Sequence, residues 1–304
     1  MKKIFIDGSA GTTGLKIYER LISRKDIQLI TLSEEKRKDI DARRDALNEA
    51  DIAFLCLPDD AARESVSLVS SESTAIIDTS TAHRVSPGWI YGLPELEGQR
   101  GKISASKRIA NPGCHATGFI ALVAPLVQAG IIAKNESLTC FSLTGYSGGG
   151  KKMIAQYEDD KRDSLLDAPR QYGLSQSHKH LPEMTKIAGL EVPPVFCPIV
   201  APFYSGMEVT VSLHGKNIQA VKDCCENYYH DGVIHFAGNS DEGGFISAGK
   251  FSGRDDMEIS IYGNDERIIL VSRFDNLGKG ASGAAIQNMN ILLGINETEG
   301  LEVN

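Results

Sequence analysis

The sequence predicts an α/β protein of two domains, and three observations lead to this prediction. The chain has 304 residues, whereas a single hydrophobic core rarely grows beyond roughly 250–300 residues. In the first third, short apolar runs alternate with polar, helix-compatible stretches, which is typical of a parallel sheet with helices on both faces. After about residue 111, longer runs alternate apolar and polar side chains, which indicates an antiparallel or mixed sheet.

The first domain is predicted over residues 1–112, as a doubly wound domain of the nucleotide-binding type. Its strands are expected at 3–7, 27–32, 51–57 and 74–78. An α+β domain is predicted over 113–280, with strands at 138–144, 207–213, 257–262 and 267–274. A C-terminal helix over 281–304 follows a glycine-rich turn, and we expect it to return to the first domain.

Composition and charge exclude several classes of protein. The net charge of −8 argues against a surface that binds nucleic acid or an anionic membrane. No apolar run approaches the roughly 20 residues that span a bilayer, and the three apolar residues before Asp7 are too few for a secretory signal. The six cysteines show no C-x-x-C pair, so we expect a cytoplasmic protein with reduced thiols and no metal.

A glycine loop follows the first predicted strand and opens the first predicted helix. Gly8, Gly11 and Gly14 permit a tight turn and let the backbone approach a pyrophosphate, which then binds the helix N-terminus. Thr12 and Thr13 are candidate hydroxyl donors to the same group. The spacing differs from the common G-x-G-x-x-G, so a glycine-rich turn without a ligand is the alternative.

The end of the second strand bears on the choice of dinucleotide. An acidic residue there binds the ribose of NAD, and cations bind the additional phosphate of NADP. Ser33, Lys36 and Arg37 are the candidates for the phosphate, whereas Glu34 keeps NAD as an alternative. The sequence therefore predicts NADP as the cofactor.

One cysteine stands apart from the other five. Cys114 follows Asn111-Pro112-Gly113 at the start of an apolar helix, where the helix dipole favours a thiolate. The alternative is an ordinary buried cysteine. A thiol nucleophile needs a base, and His178 and His180 are the candidates, although a surface loop or an incomplete zinc pair would also explain them. Because they are two residues apart, we expect one of them to point at the thiol.

Two further segments have the character of anion sites. The stretch DTSTAHR (78–84) follows the fourth predicted strand, and YSGGGKK (146–152) follows a strand of the second domain. Backbone N–H groups and cations in such turns suit a phosphate or a carboxylate. For the second stretch a flexible turn is the alternative.

Taken together, these motifs resemble the N-acetyl-γ-glutamyl-phosphate reductase family in its shorter form. The resemblance runs nearly end to end and rests on GSAGTTG (8–14), CLPDDAARE (56–64), DTSTAHR, NPGC (111–114), TGYSGGGKK (144–152) and HKHLPEM (178–184). The family is related to the aspartate-semialdehyde and glyceraldehyde-3-phosphate dehydrogenases. It combines a Rossmann-type cofactor domain with an α+β catalytic and dimerisation domain. Many members continue NPGC with Tyr-Pro-Thr, whereas His115-Ala116-Thr117 stands here.

The resemblance implies an activity. This is the NADPH-dependent reduction of N-acetyl-L-glutamyl 5-phosphate to N-acetyl-L-glutamate 5-semialdehyde and phosphate, the third step of arginine biosynthesis. It also implies a homodimer or homotetramer. Cys114 would be the nucleophile that forms a thioester, and His180, or else His178, the acid/base. The residues expected to hold substrate or phosphate are Ser80, Arg84, Asn111, Ser147, Gly148, Lys151 and Glu183.

Three other functions are weighed against this one. A related semialdehyde dehydrogenase, such as aspartate-semialdehyde dehydrogenase, usually lacks the Pro-Gly that precedes Cys114. A cysteine hydrolase or acyltransferase would explain the cysteine and the histidines but not the glycine loop. A non-catalytic nucleotide-sensing protein would explain the first domain but would not need Cys114.

Overall fold

The computed structural model describes residues 1–230 and 232–303. The chain forms two compact units. The first contains Met1–Pro112 and Ala281–Leu301, and the second contains Gly113–Gly280 with Glu302 and Val303. Among the described residues, no helix combines the length and the apolar character needed to cross a bilayer.

The first unit is built on a sheet of six parallel strands in the order β2-β1-β3-β4-β6-β5. The strands are β1 (Lys2–Asp7), β2 (Ile27–Ile30), β3 (Ile52–Leu55), β4 (Ala75–Asp78), β5 (Ile90–Tyr91) and β6 (Arg108–Ala110). The chain runs from β1 to β2 on one side and then to β3 on the other. In such sheets ligands bind outside the carboxyl ends of the strands at this reversal. The predicted parallel sheet is confirmed.

Helices cover both faces of this sheet. They are α1 (Thr12–Leu21), α2 (Ile40–Glu49), α3 (Asp59–Leu68) and the short α4 (Gln99–Ser104). Successive strand residues point to opposite faces. Ile4 therefore packs in one apolar cluster with Ile17 of α1, while Phe5 packs in the other with Leu47 of α2.

The second unit contains a mixed sheet of seven strands in the order β11-β12-β13-β10-β7-β9-β8. The strands are β7 (Thr139–Gly145), β8 (Arg170–Gln171), β9 (Val195–Ala201), β10 (Met207–His214), β11 (Ile234–Gly238), β12 (Met257–Asn264) and β13 (Arg267–Phe274). The four strands predicted here are present. The sequence did not indicate β8, β9 or β11, and the pairs β7–β9 and β11–β12 are parallel.

The α-helices of the second unit, over its described residues 113–230 and 232–280, are α5 (Cys114–Gln128), α6 (Gly150–Glu158), α7 (Leu181–Ala188) and α8 (Ile218–Tyr228). Helix α5 is buried along most of its length and packs on the sheet at Gly118, where a Cβ atom would lie within 2.8 Å of the Ser272 hydroxyl. Ser142, Val209 and Ser272 form one row across β7, β10 and β13, on the face that α5 covers.

The last helix, α9 (Gly283–Leu293), packs in the first unit, where Ile286 and Met289 join the apolar cluster of Ile4. The helix predicted over 281–304 is therefore too long. It ends because Gly294 takes a left-handed conformation with φ of 68°, and turns follow. Glu302 exchanges hydrogen bonds with Asp255 of the second unit. The predicted range also includes Asn304, which lies outside the described residues.

Candidate active site

Cys114 is the first helical residue of α5. Gly113 before it is extended, with φ of −83° and ψ of 145°, and its carbonyl oxygen accepts hydrogen bonds from the Thr117 N–H and hydroxyl. Cys114 is half-buried, and it lies at the positive end of a 15-residue helix, which stabilises a thiolate. Close packing maintains this position, because a Cβ atom on Gly280 would lie 2.8 Å from the Cys114 Cβ.

The environments of four of the other thiols keep them protonated at neutral pH. Burial raises the pKa of Cys56 to about 12 and that of Cys225 to about 12. Burial also raises the pKa of Cys140 and of Cys224. These four thiols are therefore poorer nucleophiles at neutral pH, and the role of Cys114 as nucleophile stays a prediction.

The two candidate histidines lie just before α7. The His180 N–H donates to Nδ1 of His178 at 3.2 Å, and the ring centres are 4.8 Å apart. Both rings also contact the ring of His115. The distance between ring centres is 6.0 Å for His178 and 5.5 Å for His180. We expected only one of the two to face the site. The structure brings both rings into one cluster because the backbone at His180 is helical rather than extended.

Glu183, in the first turn of α7, joins this histidine cluster to the start of α5. Its Oε2 accepts a hydrogen bond from the Gly113 N–H at 3.2 Å, and its Oε1 lies 3.9 Å from Nε2 of His180. The side chain is fully buried. Two contacts of the carboxylate are thus with protein groups, and the predicted role of Glu183 in holding substrate stays a prediction.

Sequence reasoning missed a second set of residues beside the cysteine. His115 Nδ1 lies 2.6 Å from the Ser142 hydroxyl, and its Nε2 lies 2.8 Å from the Tyr172 hydroxyl. Burial, and then the neighbouring His178, lower the pKa of His115 to about 3, so this imidazole is neutral. In the sequence, the one feature that singled out His115 was that it stands where many family members have the Tyr of Tyr-Pro-Thr.

The predicted anion-binding residues of the second unit differ in exposure. Ser147 is buried, and its hydroxyl accepts a hydrogen bond from the Asn276 side chain at 2.9 Å. Gly148 lies in the following turn and Lys151 in the first turn of α6, and both are exposed. Their role in holding an anion stays a prediction.

In the first unit, the glycine loop fits a pyrophosphate. Gly8 has φ of 92°, and a Cβ atom there would overlap the Cys56 carbonyl oxygen; one on Gly14 would overlap the Gly8 carbonyl oxygen. The loop closes through a hydrogen bond from the Gly11 N–H to the Gly8 oxygen at 3.0 Å. The N-cap residue of α1, Gly11, makes no side-chain capping hydrogen bond, and the first turn, which begins with Thr12 and Thr13, follows directly; N–H groups at such a helix start suit a pyrophosphate.

The predicted 2′-phosphate residues lie beyond the carboxyl end of β2. The N–H groups of Lys36 and Arg37 donate to the Ser33 carbonyl oxygen at 3.0 and 3.1 Å, which forms a single 3₁₀ turn over Glu34–Lys38. Ser33, Lys36 and Arg37 are all exposed. A guanidinium and an ammonium group on one exposed turn suit a dianionic phosphate.

The remaining predicted substrate residues form hydrogen bonds with other groups of the first unit. The Ser80 hydroxyl donates to Asp78 at 2.8 Å. The Arg84 guanidinium donates to the carbonyl oxygens of Thr79 and Asn111, at 3.1 and 3.0 Å. The Asn111 side chain donates to the carbonyl oxygen of Ala281 at 3.0 Å. These contacts fix the loops after β4 and β6, and a role toward substrate stays a prediction.

A resident metal has no obvious ligand set in residues 1–230 and 232–303. No group of three or more histidine, cysteine, aspartate or glutamate side chains there is arranged to hold an ion. His178 and His180 lie close together, but within the described residues no third side chain is arranged with them as a zinc site requires.

Comparisons with known proteins identify the family. Residues 3–104 match the model of the semialdehyde dehydrogenase NAD binding domain, and residues 114–276 match that of the semialdehyde dehydrogenase dimerisation domain. The chain is 44% identical to N-acetyl-gamma-glutamyl-phosphate reductase 2 of Nostoc sp. (strain PCC 7120), over 98% of this chain and 99% of that protein. It belongs to the N-acetyl-γ-glutamyl-phosphate reductase family, which is a family of oxidoreductases. The predicted family is confirmed.

A further reductase and two solved structures are also similar to this chain. The N-acetyl-gamma-glutamyl-phosphate reductase of Sinorhizobium medicae is 46% identical, with 96% of this chain and 98% of that protein aligned. Among solved structures, aspartate semialdehyde dehydrogenase II of Vibrio cholerae superposes with a TM-score of 0.71 at 15% identity, over 97% of this chain and 98% of that chain. The aspartate semialdehyde dehydrogenase of Candida albicans, solved with NADP, gives a TM-score of 0.69 at 17% identity, covering 96% and 98%.

The two kinds of likeness have different weight. At 15–17% identity, the solved structures show the fold alone, and they confirm the predicted combination of a Rossmann-type domain with an α+β domain. The reductases are far closer in sequence, so the aspartate-semialdehyde alternative has less support. The family models give the chain a nicotinamide-dinucleotide-binding domain, which includes the glycine loop, and a dimerisation domain, which includes Cys114 and His180.

Proposed function

We propose that this protein reduces N-acetyl-L-glutamyl 5-phosphate to N-acetyl-L-glutamate 5-semialdehyde and phosphate in arginine biosynthesis, with NADPH as the reductant. One observation carries the proposal: Cys114 at the N-terminus of α5 and His180 before α7 are connected through the Glu183 carboxylate. The names of the relatives at 44–46% identity support the identity of the substrate.

The first chemical step belongs to Cys114. Its thiolate attacks the acyl carbon, a C–S bond forms, and the bond from that carbon to the phosphate oxygen breaks, with the electron pair leaving on phosphate. The product on the enzyme is a thioester. The positive end of α5 stabilises the thiolate, and His180 takes the thiol proton and passes it to the departing phosphate.

The second step reduces the thioester and regenerates the Cys114 thiolate. The glycine loop and the first turn of α1 would hold a reduced nicotinamide dinucleotide, which would supply a hydride to the thioester carbonyl and leave a tetrahedral alkoxide on Cys114. Backbone N–H groups at the start of α5 stabilise that negative charge. The alkoxide collapses, the C–S bond breaks, and the aldehyde leaves Cys114 as a thiolate. Glu183 keeps the His180 imidazole oriented throughout, since its Oε1 faces Nε2 of that ring.

NADP is the proposed dinucleotide. The glycine loop and the first turn of α1 bind the pyrophosphate, and Lys36 and Arg37, with the Ser33 hydroxyl, bind the 2′-phosphate. The support is the fit of an exposed cationic turn to a dianion, at the end of the strand where dinucleotide ribose is bound in such domains.

The proposed assembly is a homodimer or homotetramer in the cytoplasm. On the second unit's sheet, the face opposite α5 exposes apolar side chains: Phe141 is 50% exposed, Val195 53% and Ile269 44%. An apolar sheet face of this kind suits burial against a second copy of the chain. The matched dimerisation domain supports this proposal.

The reverse reaction tests the proposal. We expect the purified protein to reduce NADP⁺ with N-acetylglutamate semialdehyde only when phosphate is present, and to act poorly with NAD⁺ or with aspartate semialdehyde. Cys114→Ser should abolish turnover and keep NADPH binding, whereas Cys224→Ser, at a half-buried thiol in α8, should keep both. Equal turnover of aspartate semialdehyde, or an active Cys114→Ser variant, would overturn the proposal.

A further inference from the structure

The segment that carries the two histidines follows the short strand β8. Strand β8 pairs antiparallel with the end of β9, and the Tyr172 N–H then donates to the Pro198 carbonyl oxygen at 3.0 Å. Continued in this register, Leu174 would lie opposite Phe196. The chain instead turns away at Gly173, whose φ is 66°, and Leu174 is 76% exposed. Among the described residues, no strand pairs with Phe196 on this side of β9.

The side-chain amide of Gln176 takes the place of that strand. Its Oε1 accepts a hydrogen bond from the Phe196 N–H at 2.9 Å, and its Nε2 donates to the Phe196 carbonyl oxygen at 2.8 Å. Because a backbone N–H only donates and a carbonyl oxygen only accepts, these two bonds fix the orientation of the amide. One side chain thereby supplies the pair of bonds that a residue of a neighbouring antiparallel strand would supply.

The backbone of Gln176 has a strained conformation. Its φ is 55°, and within residues 1–230 and 232–303 it is the one residue other than glycine with a positive φ. This left-handed conformation costs free energy for a residue with a Cβ atom, so it persists only where other contacts maintain it. The Gln176 N–H closes the turn by donating to the Gly173 carbonyl oxygen at 3.0 Å. Strain of this kind is concentrated at functional sites, and His178 follows two residues later.

Phe196 connects this anchor to the histidine cluster. The centre of its ring lies 5.1 Å from that of His178 and 5.4 Å from that of His115. The next contact leads to the proposed acid/base, because Nδ1 of His178 accepts a hydrogen bond from the His180 N–H at 3.2 Å. The Gln176 amide is therefore connected to His180 by backbone hydrogen bonds and ring packing, as well as by the short intervening chain.

We propose that Gln176 is a positioning residue for the proposed acid/base His180. Its amide anchors residues 173–180 to β9 and so keeps the His180 imidazole where its Nε2 faces Glu183, at 3.9 Å. The inference rests on the proposed role of His180, since Gln176 acts on the reaction only through that ring. Gln176 lies outside the motif HKHLPEM (178–184), so the motif gives no indication of this role.

Two substitutions separate the amide from the strained backbone. Gln176→Ala removes the amide and keeps a Cβ atom at a φ of 55°, whereas Gln176→Gly removes the amide and relieves the strain. In the reverse reaction we expect both variants to lower kcat by about tenfold, with little change in the KM for NADP⁺, because a small displacement of a proton-transfer group slows the chemical step. Gln219→Ala is the matched control. This exposed glutamine binds Asp223 within α8, and its loss should leave kcat unchanged.

A spectroscopic measurement tests the positioning directly. Protein labelled with carbon-13 at the histidine Cε1 atoms is compared by NMR, with each resonance assigned from a histidine-to-glutamine variant. In Gln176→Ala and Gln176→Gly, the resonances of His178 and His180 should shift, while that of His214, exposed at the end of β10, should not. Unchanged resonances of His178 and His180 in both variants, or in Gln176→Gly alone if Gln176→Ala fails to fold, would overturn the inference. This measurement needs neither substrate nor cofactor.

A double-variant cycle shows whether the effect on turnover passes through His180. In a His180→Gln background, Gln176→Ala should lower kcat by less than about twofold, because the ring that it positions is absent. A further tenfold loss in that background would overturn the inference. Wild-type turnover in His180→Gln alone would instead reject the acid/base role in the proposed function, and the histidine resonances would still show whether Gln176 positions the ring.

Discussion

The Glu183 carboxylate bridges Gly113 and His180. One oxygen accepts a hydrogen bond from the Gly113 N–H at 3.2 Å, and the other lies 3.9 Å from Nε2 of His180. A single buried side chain thereby fixes both the backbone that precedes the proposed nucleophile and the imidazole proposed to move its proton. An isosteric change at Glu183 should therefore affect the chemistry more than the fold.

We expect Glu183→Gln to lower kcat by about tenfold or more, with a smaller change in the KM for the acyl phosphate. The amide keeps the volume and can still accept from the Gly113 N–H, but it removes the negative charge that orients His180. Steady-state kinetics and the melting temperature check this outcome. Glu191→Gln, at an exposed position after α7, is the control and should leave kcat unchanged.

The neutral state of His115 predicts a pH dependence of stability. Its pKa is about 3 in the folded protein and 6.5 when unperturbed, so the unfolded chain binds about one more proton between these values. The stability that His115 contributes is therefore present above pH 6.5 and is lost as the pH falls toward 3. Urea unfolding at pH 5 and pH 7 should show a smaller loss of unfolding free energy in His115→Phe than in the wild type. An equal loss in both proteins would contradict the prediction.

The close approach of Gly14 to Gly8 predicts the effect of an added methyl group. In Gly14→Ala the new Cβ overlaps the Gly8 carbonyl oxygen, so we expect a loss of about 1–3 kcal/mol in unfolding free energy and weaker binding of NADPH. Denaturant unfolding and titration with NADPH measure the two effects. Gly101→Ala in α4 is the control. Its Cβ meets nothing within 4 Å, so it should stabilise the protein by roughly 0.5–1 kcal/mol.

The exposed turn after β2 predicts how the choice between NADP and NAD can be changed. Lys36→Ala with Arg37→Ala should weaken NADPH binding by about tenfold or more and leave NADH binding nearly unchanged, because only NADPH carries the 2′-phosphate. Isothermal titration with both dinucleotides measures the ratio. Lys25→Ala is the control, since this exposed lysine precedes β2 and lies at the opposite end of the strand. An equal loss for NADPH and NADH would disprove the assignment.

Much of the fold was predictable because it follows short-range periodicity. Strands β3 and β4 and most of β1 are buried apolar runs between helical stretches, and β10, β12 and β13 alternate in character along their length. Strand β9 was missed because Pro198 lacks an N–H group and usually excludes a residue from a sheet interior. Here Pro198 pairs with Ser142 of β7, and on its other side its carbonyl oxygen accepts from the N–H of Tyr172, just past the two-residue β8. These neighbours cannot be read from local sequence.

The candidate site was predictable only in part, for a similar reason. The Pro-Gly before Cys114 and the apolar run after it placed the cysteine at a helix start, which is a local property. The partners of His115 are separated from it by 27 and 57 positions along the chain. The roles predicted for Arg84 and Asn111 followed from their chemical type, whereas their hydrogen bonds with main-chain oxygens depend on where β4 and β6 end.

The placement of α9 has a consequence for how the protein is made. Its side chains complete the apolar cluster that contains Ile4, so the dinucleotide-binding unit consists of two segments separated by the whole of the second unit. A fragment ending at Pro112 would leave that cluster open to water. On the ribosome, the first unit can close only after the final helix has emerged, by which time every residue of 113–280 has been synthesised.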